Sequence, residues 1–211
     1  MMDTEPTQWE KIFQRDGYIF PEPRPKVMQF ADSLKERGLT SILDLGCGTG
    51  RHVVHMAQKG LHVTGLDNAP TGLKLAKEWL DKEQCIANLV LSDMRYSLPF
   101  ENDSFDAVLS TQVIHHAMLA TVLKTAGEIE RIVRKDGMIM ISVPTRTAIA
   151  EDAPAHNEIE PNTFVPTSGT EMGLPHHLFT PDEFRAIFPR FQALGLQVMD
   201  NRVIVLHAIR K

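Results

Sequence analysis

The side chains able to do chemistry gather at the ends of short apolar runs. Ile42, Leu43, Asp44 and Leu45 lead straight into Gly46-Cys47-Gly48-Thr49-Gly50. A turn with so few Cβ atoms lets backbone approach a ligand closely and leaves amides at a helix start free to meet an anion. Asp67 closes the apolar run 61–66, with Asn68 beside it, and a carboxylate there suits the two hydroxyls of a ribose. Asp93 follows the run 86–91; it suits the exocyclic amine of adenine, with Met94 packed on the ring. Alone, each acid reads more readily as a helix cap or turn residue. Three strand-end features in order point to a nucleotide-like cofactor.

Spacing narrows the choice of cofactor. A dinucleotide fingerprint places its third glycine at position 51, where helix and strand pack closely, and this chain has Arg51. A phosphate-binding loop needs Lys and then Ser or Thr after its last glycine, and Arg51-His52 does not supply them. Arg51 reads either as a partner for a ligand carboxylate or as a surface helix charge.

Histidines supply the remaining chemistry. His115 and His116 follow the fourth apolar run, on the sheet edge where open α/β folds bind ligands. Neutral imidazoles there are the leading candidates for a general base; packing in a turn is the competing reading. His156, His176 and His177 lie in or beside the stretch 144–179, with Glu158, Glu160 and Glu171 among them. Such a set can grip a polar or cationic substrate or hold a metal, but it lacks tight ligand spacing along the chain, and no metal is expected.

The elements that must position these groups follow from the pattern. Apolar runs at 42–45, 61–66, 86–91, 105–110 and 138–143 alternate with helical periodicity at 51–59, 70–82 and 121–135. That alternation implies βαβ crossovers and a parallel sheet covered on both faces. Residues 9–13 and 26–37 suggest helices before the first strand. Thr180, Pro181 and Glu183 spell a capping box for a helix over 181–188. Runs at 194–199 and 203–209, separated by Asp200, Asn201 and Arg202, suggest an antiparallel pair. Residues 144–179 carry five prolines and no sustained period, which reads as a structureless lid or binding loop.

Composition bounds the setting. With 211 residues, 43% hydrophobic and 23% charged, the chain reads as one globular domain over 1–211. A net charge of −5 argues against a surface built to neutralise phosphates, so nucleic acid is not an expected partner. Cys47 and Cys85 are the only cysteines, which fits a reducing cytoplasm. No run is long and apolar enough to span a bilayer, and no membrane partner is expected.

The motif set Asp-Leu-Gly-Cys-Gly-Thr-Gly, Leu-Asp-Asn, Ser-Asp-Met, Phe-Asp-Ala-Val-Leu-Ser and Ile-Val-Arg-Lys-Asp-Gly-Met-Ile-Met-Ile resembles that of class I S-adenosylmethionine-dependent methyltransferases. The likeness is to the methyltransferase type 11 group and, more loosely, to the TehB-like tellurite-resistance methyltransferases. It implies an α/β Rossmann-like three-layer sandwich around a seven-stranded, mostly parallel sheet with its last strand antiparallel. It further implies that Asp44 and the backbone of Gly46, Cys47 and Gly48 hold the methionine part of the cofactor, with Ser110 and Gln112 nearby. Asp67 and Asn68 would take the ribose, Asp93 and Met94 the adenine, and Arg51 the carboxylate. Residues 1–25 would form a cover carrying Trp9 and Tyr18, with Tyr18, His176 and His177 toward the acceptor. The expected reaction is methyl transfer to a small molecule, leaving S-adenosylhomocysteine. A cofactor-binding protein without turnover is the alternative, and a nucleotide-dependent oxidoreductase a weaker one.

Overall fold

The computed structural model describes residues 6–148 and 155–211. Two helices, α1 (Gln8–Asp16) and α2 (Pro25–Glu36), precede β1 (Ser41–Leu45), α3 (Arg51–Gln58), β2 (His62–Asp67), α4 (Pro70–Lys82) and β3 (Asn88–Leu91). Then come β4 (Phe105–Thr111), α5 (Leu119–Ile132), β5 (Val133–Pro144), β6 (His156–Glu160), β7 (Thr163–Pro166) and β8 (His176–His177). The chain ends with α6 (Pro181–Ala186), β9 (Phe191–Met199) and β10 (Val203–Arg210).

Seven strands form one sheet in the order β3-β2-β1-β4-β5-β10-β9. The first five are parallel, and β10 runs antiparallel between β5 and β9. Side-chain alternation explains the three layers. Leu43, Leu45, Val108, Ile139 and Ile141 face α5 and α6 with Val122, Ile129 and Phe184. Ile42, Ala107, Leu109 and Met140 face the other way, toward Phe30 and Leu34 of α2 and Val53 and Met56 of α3. The strand order reverses between β1 and β4, and the crevice beyond their carboxyl ends is where such sheets bind ligands.

Local signals account for the helix boundaries. Thr180 Oγ1 accepts from the Glu183 amide while Glu183 caps the Thr180 amide in return, the reciprocal pair expected from sequence. The helix expected through 135 stops at Ile132. Val133 is already extended and pairs with Phe105, so strand pairing of a buried β-branched residue overrides helical periodicity.

The expectation of a structureless stretch at 144–179 is corrected. Arg146–Ala148 forms a 3-10 turn, and β6, β7 and β8 pair antiparallel as a small second sheet; positions 149–154, with Pro154, lie outside the described residues. Period-2 alternation is obscured here because the strands are two to five residues long. Glu160 anchors this sheet: its Oε1 accepts from the Leu119 amide at 2.6 Å, at the start of α5, and from Thr163 Oγ1 at 2.8 Å. A carboxylate at a helix N-terminus is favourably placed for the helix dipole.

Candidate active site

The turn after β1 is built on backbone hydrogen bonds to β2. Gly46 and Cys47 amides both donate to Leu66 O, at 2.8 and 3.0 Å, and the Gly48 amide donates to Asp67 Oδ2 at 2.8 Å. The expectation that these amides stay free for an anion is therefore corrected: they fasten the turn to the end of β2. Gly46 has φ 78°, and a Cβ there would lie 2.3 Å from Val113 Cγ1. Missing side chains at this turn let the β4–α5 connection close on it.

The turn floors a cleft of about 780 Å³ over the ends of β1 to β4, within the size range of small-molecule sites. Asp67 sits at its edge, 9% exposed, with Oδ1 accepting from the Ala69 amide at 2.9 Å. Burial raises its carboxyl above the ordinary value, and amides of Gly48, Ala69 and Asn68 oppose the rise. Asp93 faces Arg95, whose Nε and Nη2 lie 2.9 and 2.6 Å from Oδ2. Burial works against its charge, but the Arg95 bonds win and hold the carboxyl below the ordinary range. Asn68 and Met94 line the same wall.

Arg51, in the first turn of α3, also lines the cleft and lies over the Phe20 ring at 5.3 Å. Burial, and then Arg24 nearby, lowers its pKa to about 10, which leaves it charged at neutral pH. Asp44 lies below, 1% exposed, with Oδ2 lacking a hydrogen-bond partner among the described residues. Burial pushes its carboxyl up to about 7 against the pull of Arg51. Gln112, at φ 58°, lines the cleft and keeps a buried Nε2 likewise unpartnered among the described residues.

Imidazoles form the third wall. The His115 and His116 rings lie 3.9 Å apart, and His176 reaches them across the chain at 5.4 and 4.8 Å between centroids. Burial lowers the basicity of all three, that of His176 to about 4. Glu171 stands beside them, with Oε1 4.0 Å from His116 Nε2 and Oε2 3.6 Å from His176 Nε2. Trp9 of α1 closes the wall, its Nε1 donating to His116 Nδ1 at 3.4 Å.

Most residues singled out from sequence meet here: Gly46, Cys47, Gly48, Arg51, Asp67, Asn68, Asp93, Met94, Gln112, His115, His116 and His176 all line the cleft. Four do not. Ser110 is fully buried and donates to Leu45 O, so Thr111 takes the place at the rim. Asp44 lies under the turn. Tyr18 turns away to bond Leu75 O at 2.7 Å and to meet the Trp79 ring edge-on. His177 is 4% exposed and bonded to Thr163 Oγ1 at 2.7 Å, because the two residues of β8 point to opposite faces. Phe13, Arg24 and His52 line the cleft without a sequence signal of their own.

The family model described as a methyltransferase domain matches residues 43–141, from β1 into β5. Residues 43–141 are thus similar to a methyltransferase domain. It is 31% identical over 123 residues to the "Putative methyltransferase YqeM" of Bacillus subtilis, covering 58% of this chain and 49% of that protein. It is 30% identical over 152 residues to the human "Probable tRNA methyltransferase 9B", covering 67% of this chain and 31% of that protein. The chain thus spans about half or less of these relatives' length. In fold it is similar to TehB from Haemophilus influenzae, with a TM-score of 0.69, 19% identity and coverage of 96% of this chain and 67% of that one. It is also similar to a Burkholderia thailandensis 1,6-didemethyltoxoflavin-N1-methyltransferase determined with S-adenosylhomocysteine, with a TM-score of 0.65, 19% identity and coverage of 97% and 88%.

The resemblance to methyltransferases implies S-adenosylmethionine as the ligand, and the cleft passes a test of fit. It has the size for such a ligand, a bare-backbone floor and, on Gln112 in its lining, an unpartnered buried polar atom among the described residues.

Proposed function

We propose that this protein is an S-adenosylmethionine-dependent methyltransferase acting on a small-molecule acceptor seated against the His115–His116–His176 wall. The observation that carries the reading is continuity. One cleft is lined by Asp67, Asp93 and Met94, by Arg51 and by the imidazoles together.

S-adenosylmethionine, when bound, supplies an electrophilic methyl that a nucleophile takes by in-line displacement. The chain's task is then to hold that nucleophile close and aligned. Asp67 and Asn68 would hold the ribose, with one lone pair of each Asp67 oxygen already spent on backbone. Asp93 and Met94 would take the adenine. Arg51 would hold the carboxylate as a charged fork, and Gln112 and the glycine turn would flank the methionine part. Asp44 supports from beneath by balancing the charge of Arg51.

At the acceptor end His115 and His116 are neutral imidazoles, and either can take a proton from a hydroxyl or amine as the methyl arrives. Trp9 keeps water from that side. With its reduced cysteines the protein suits the cytoplasm, and no helix among the described residues is long and apolar enough to cross a membrane.

The test is S-adenosylhomocysteine formation from S-adenosylmethionine with a panel of small hydroxyl, amine and thiol acceptors, beside unmodified tRNA. Turnover on a small acceptor, reduced at least about a hundredfold in His115→Ala together with His116→Ala, is the expected result. Turnover on tRNA alone would reject the acceptor class. Cofactor binding without turnover on any substrate would favour a sensor or sequestering role.

A further inference from the structure

The general-base reading employs His115 and His116 and gives His176 and Glu171 no part in the chemistry. Yet each of the three histidines presents a ring nitrogen, and these three atoms lie within 4.8 Å of one another. We propose that His115, His116 and His176 bind a divalent transition-metal ion, with Glu171 beside them as a fourth oxygen ligand.

Three observations carry this. First, the donor set is neutral imidazole plus one carboxylate, the combination that suits zinc, cobalt or iron rather than magnesium or calcium. Second, His115 Nδ1 and His176 Nε2 are buried with no hydrogen-bond partner among the described residues. Buried polar atoms are nearly always paired, and an orphaned pair in one cluster calls for a missing partner. Third, the closure needed is small. Metal–nitrogen bonds of about 2.0–2.1 Å at tetrahedral angles set nitrogens about 3.3 Å apart, so the histidines must close by at most about 1.5 Å.

His115 and His116 are adjacent, whereas His176 arrives from β8, sixty residues later. That separation is why no ligand motif stands in the sequence. One contact must give way. Trp9 Nε1 donates to His116 Nδ1 at 3.4 Å, and a neutral His116 that ligates through Nε2 carries its proton on Nδ1. The ion and the Trp9 bond therefore exclude each other, and Trp9 reports on occupancy.

The consequence for catalysis rests on the methyltransferase reading. A ring nitrogen that ligates cannot also accept a proton, so with the ion bound, activation passes from imidazole to metal. The acceptor is then a molecule with an oxygen or sulfur donor that displaces Glu171 from the ion or adds as a fifth ligand. Its proton departs to water more readily there, because the bound cation lowers the donor's pKa.

The experiment uses tag-free, chelator-treated protein titrated with Co²⁺, followed by visible absorption and Trp fluorescence, and with Zn²⁺ for X-ray absorption. The expected result is one ion per chain, a change in Trp emission that saturates with it, and three imidazole nitrogens at about 2.0 Å from zinc. His176→Ala should weaken binding at least about tenfold while still binding S-adenosylhomocysteine by calorimetry. His62→Ala, a surface control, should bind as wild type. Absence of stoichiometric binding, fewer than three imidazole ligands on the wild-type ion, or unchanged affinity in His176→Ala overturns the site. The X-ray absorption result decides the matter even if a variant fails to fold. An ion bound by a protein that takes no S-adenosylhomocysteine would reject the methyltransferase reading and leave the metal site standing.

Discussion

Asp67 Oδ2 accepts the backbone amide of Gly48 at 2.8 Å. This bond joins the first and second strand tips, so the residue expected to meet the ribose also sets the shape of the glycine turn. Replacing it removes a ligand contact and a loop tie together. Asp67→Ala should weaken S-adenosylhomocysteine binding by about 1 to 3 kcal/mol or more and increase hydrogen exchange at Gly48. Calorimetry with amide exchange reads both, and unchanged affinity would remove Asp67 from the site.

Gly46 is held at φ 78° with Val113 where its Cβ would be. Gly46→Ala should therefore lose about 1 to 3 kcal/mol of stability through overpacking and left-handed strain. Adding Val113→Ala should recover part of the loss, since it relieves the clash but not the backbone strain. Denaturant unfolding of the two variants separates these contributions.

Asp44 supplies a pH dependence. Its carboxyl is raised to about 7 by burial, from 3.8, so the folded chain keeps a proton that the unfolded chain has lost. The contribution favours folding at low pH and is lost as pH rises from about 4 through about 7. Asp44→Asn should gain stability over wild type across that window and level off above it. Melting temperatures of the two proteins between about pH 5 and pH 8 check the sign.

Glu10 anchors the cover. Buried to 6% exposure, it accepts from the Thr71 amide at 2.8 Å and from Thr71 Oγ1 at 2.6 Å, pinning α1 to α4. Glu10→Ala should release α1 and shorten cofactor residence by about tenfold, leaving the rest of the fold intact. Stopped-flow dissociation measures it.

Much of this arrangement was legible because strand ends and capping signals are local. The run 42–45 with its glycines, the acids 67 and 93, and the Thr180–Glu183 box each declare themselves within a few residues. The antiparallel pair followed from the turn at 200–202. What escaped is what depends on partners far along the chain. Ser110 and Thr111 differ in role only through the pleat of β4, and His176 and His177 only through the pleat of β8, so a strand of two residues hid which imidazole reaches the site. The amides of the glycine turn looked free because Leu66 and Asp67, their acceptors, belong to another strand. Phe13 meets the cleft, and Glu10 meets Thr71, only once α1 lies across α4.

The most direct test is a crystal structure with S-adenosylhomocysteine bound. The ribose should lie on Asp67, the adenine between Asp93 and Met94, and the sulfur toward His115 and His116. A ligand whose ribose avoids Asp67, or whose sulfur faces away from the histidines, would contradict the account.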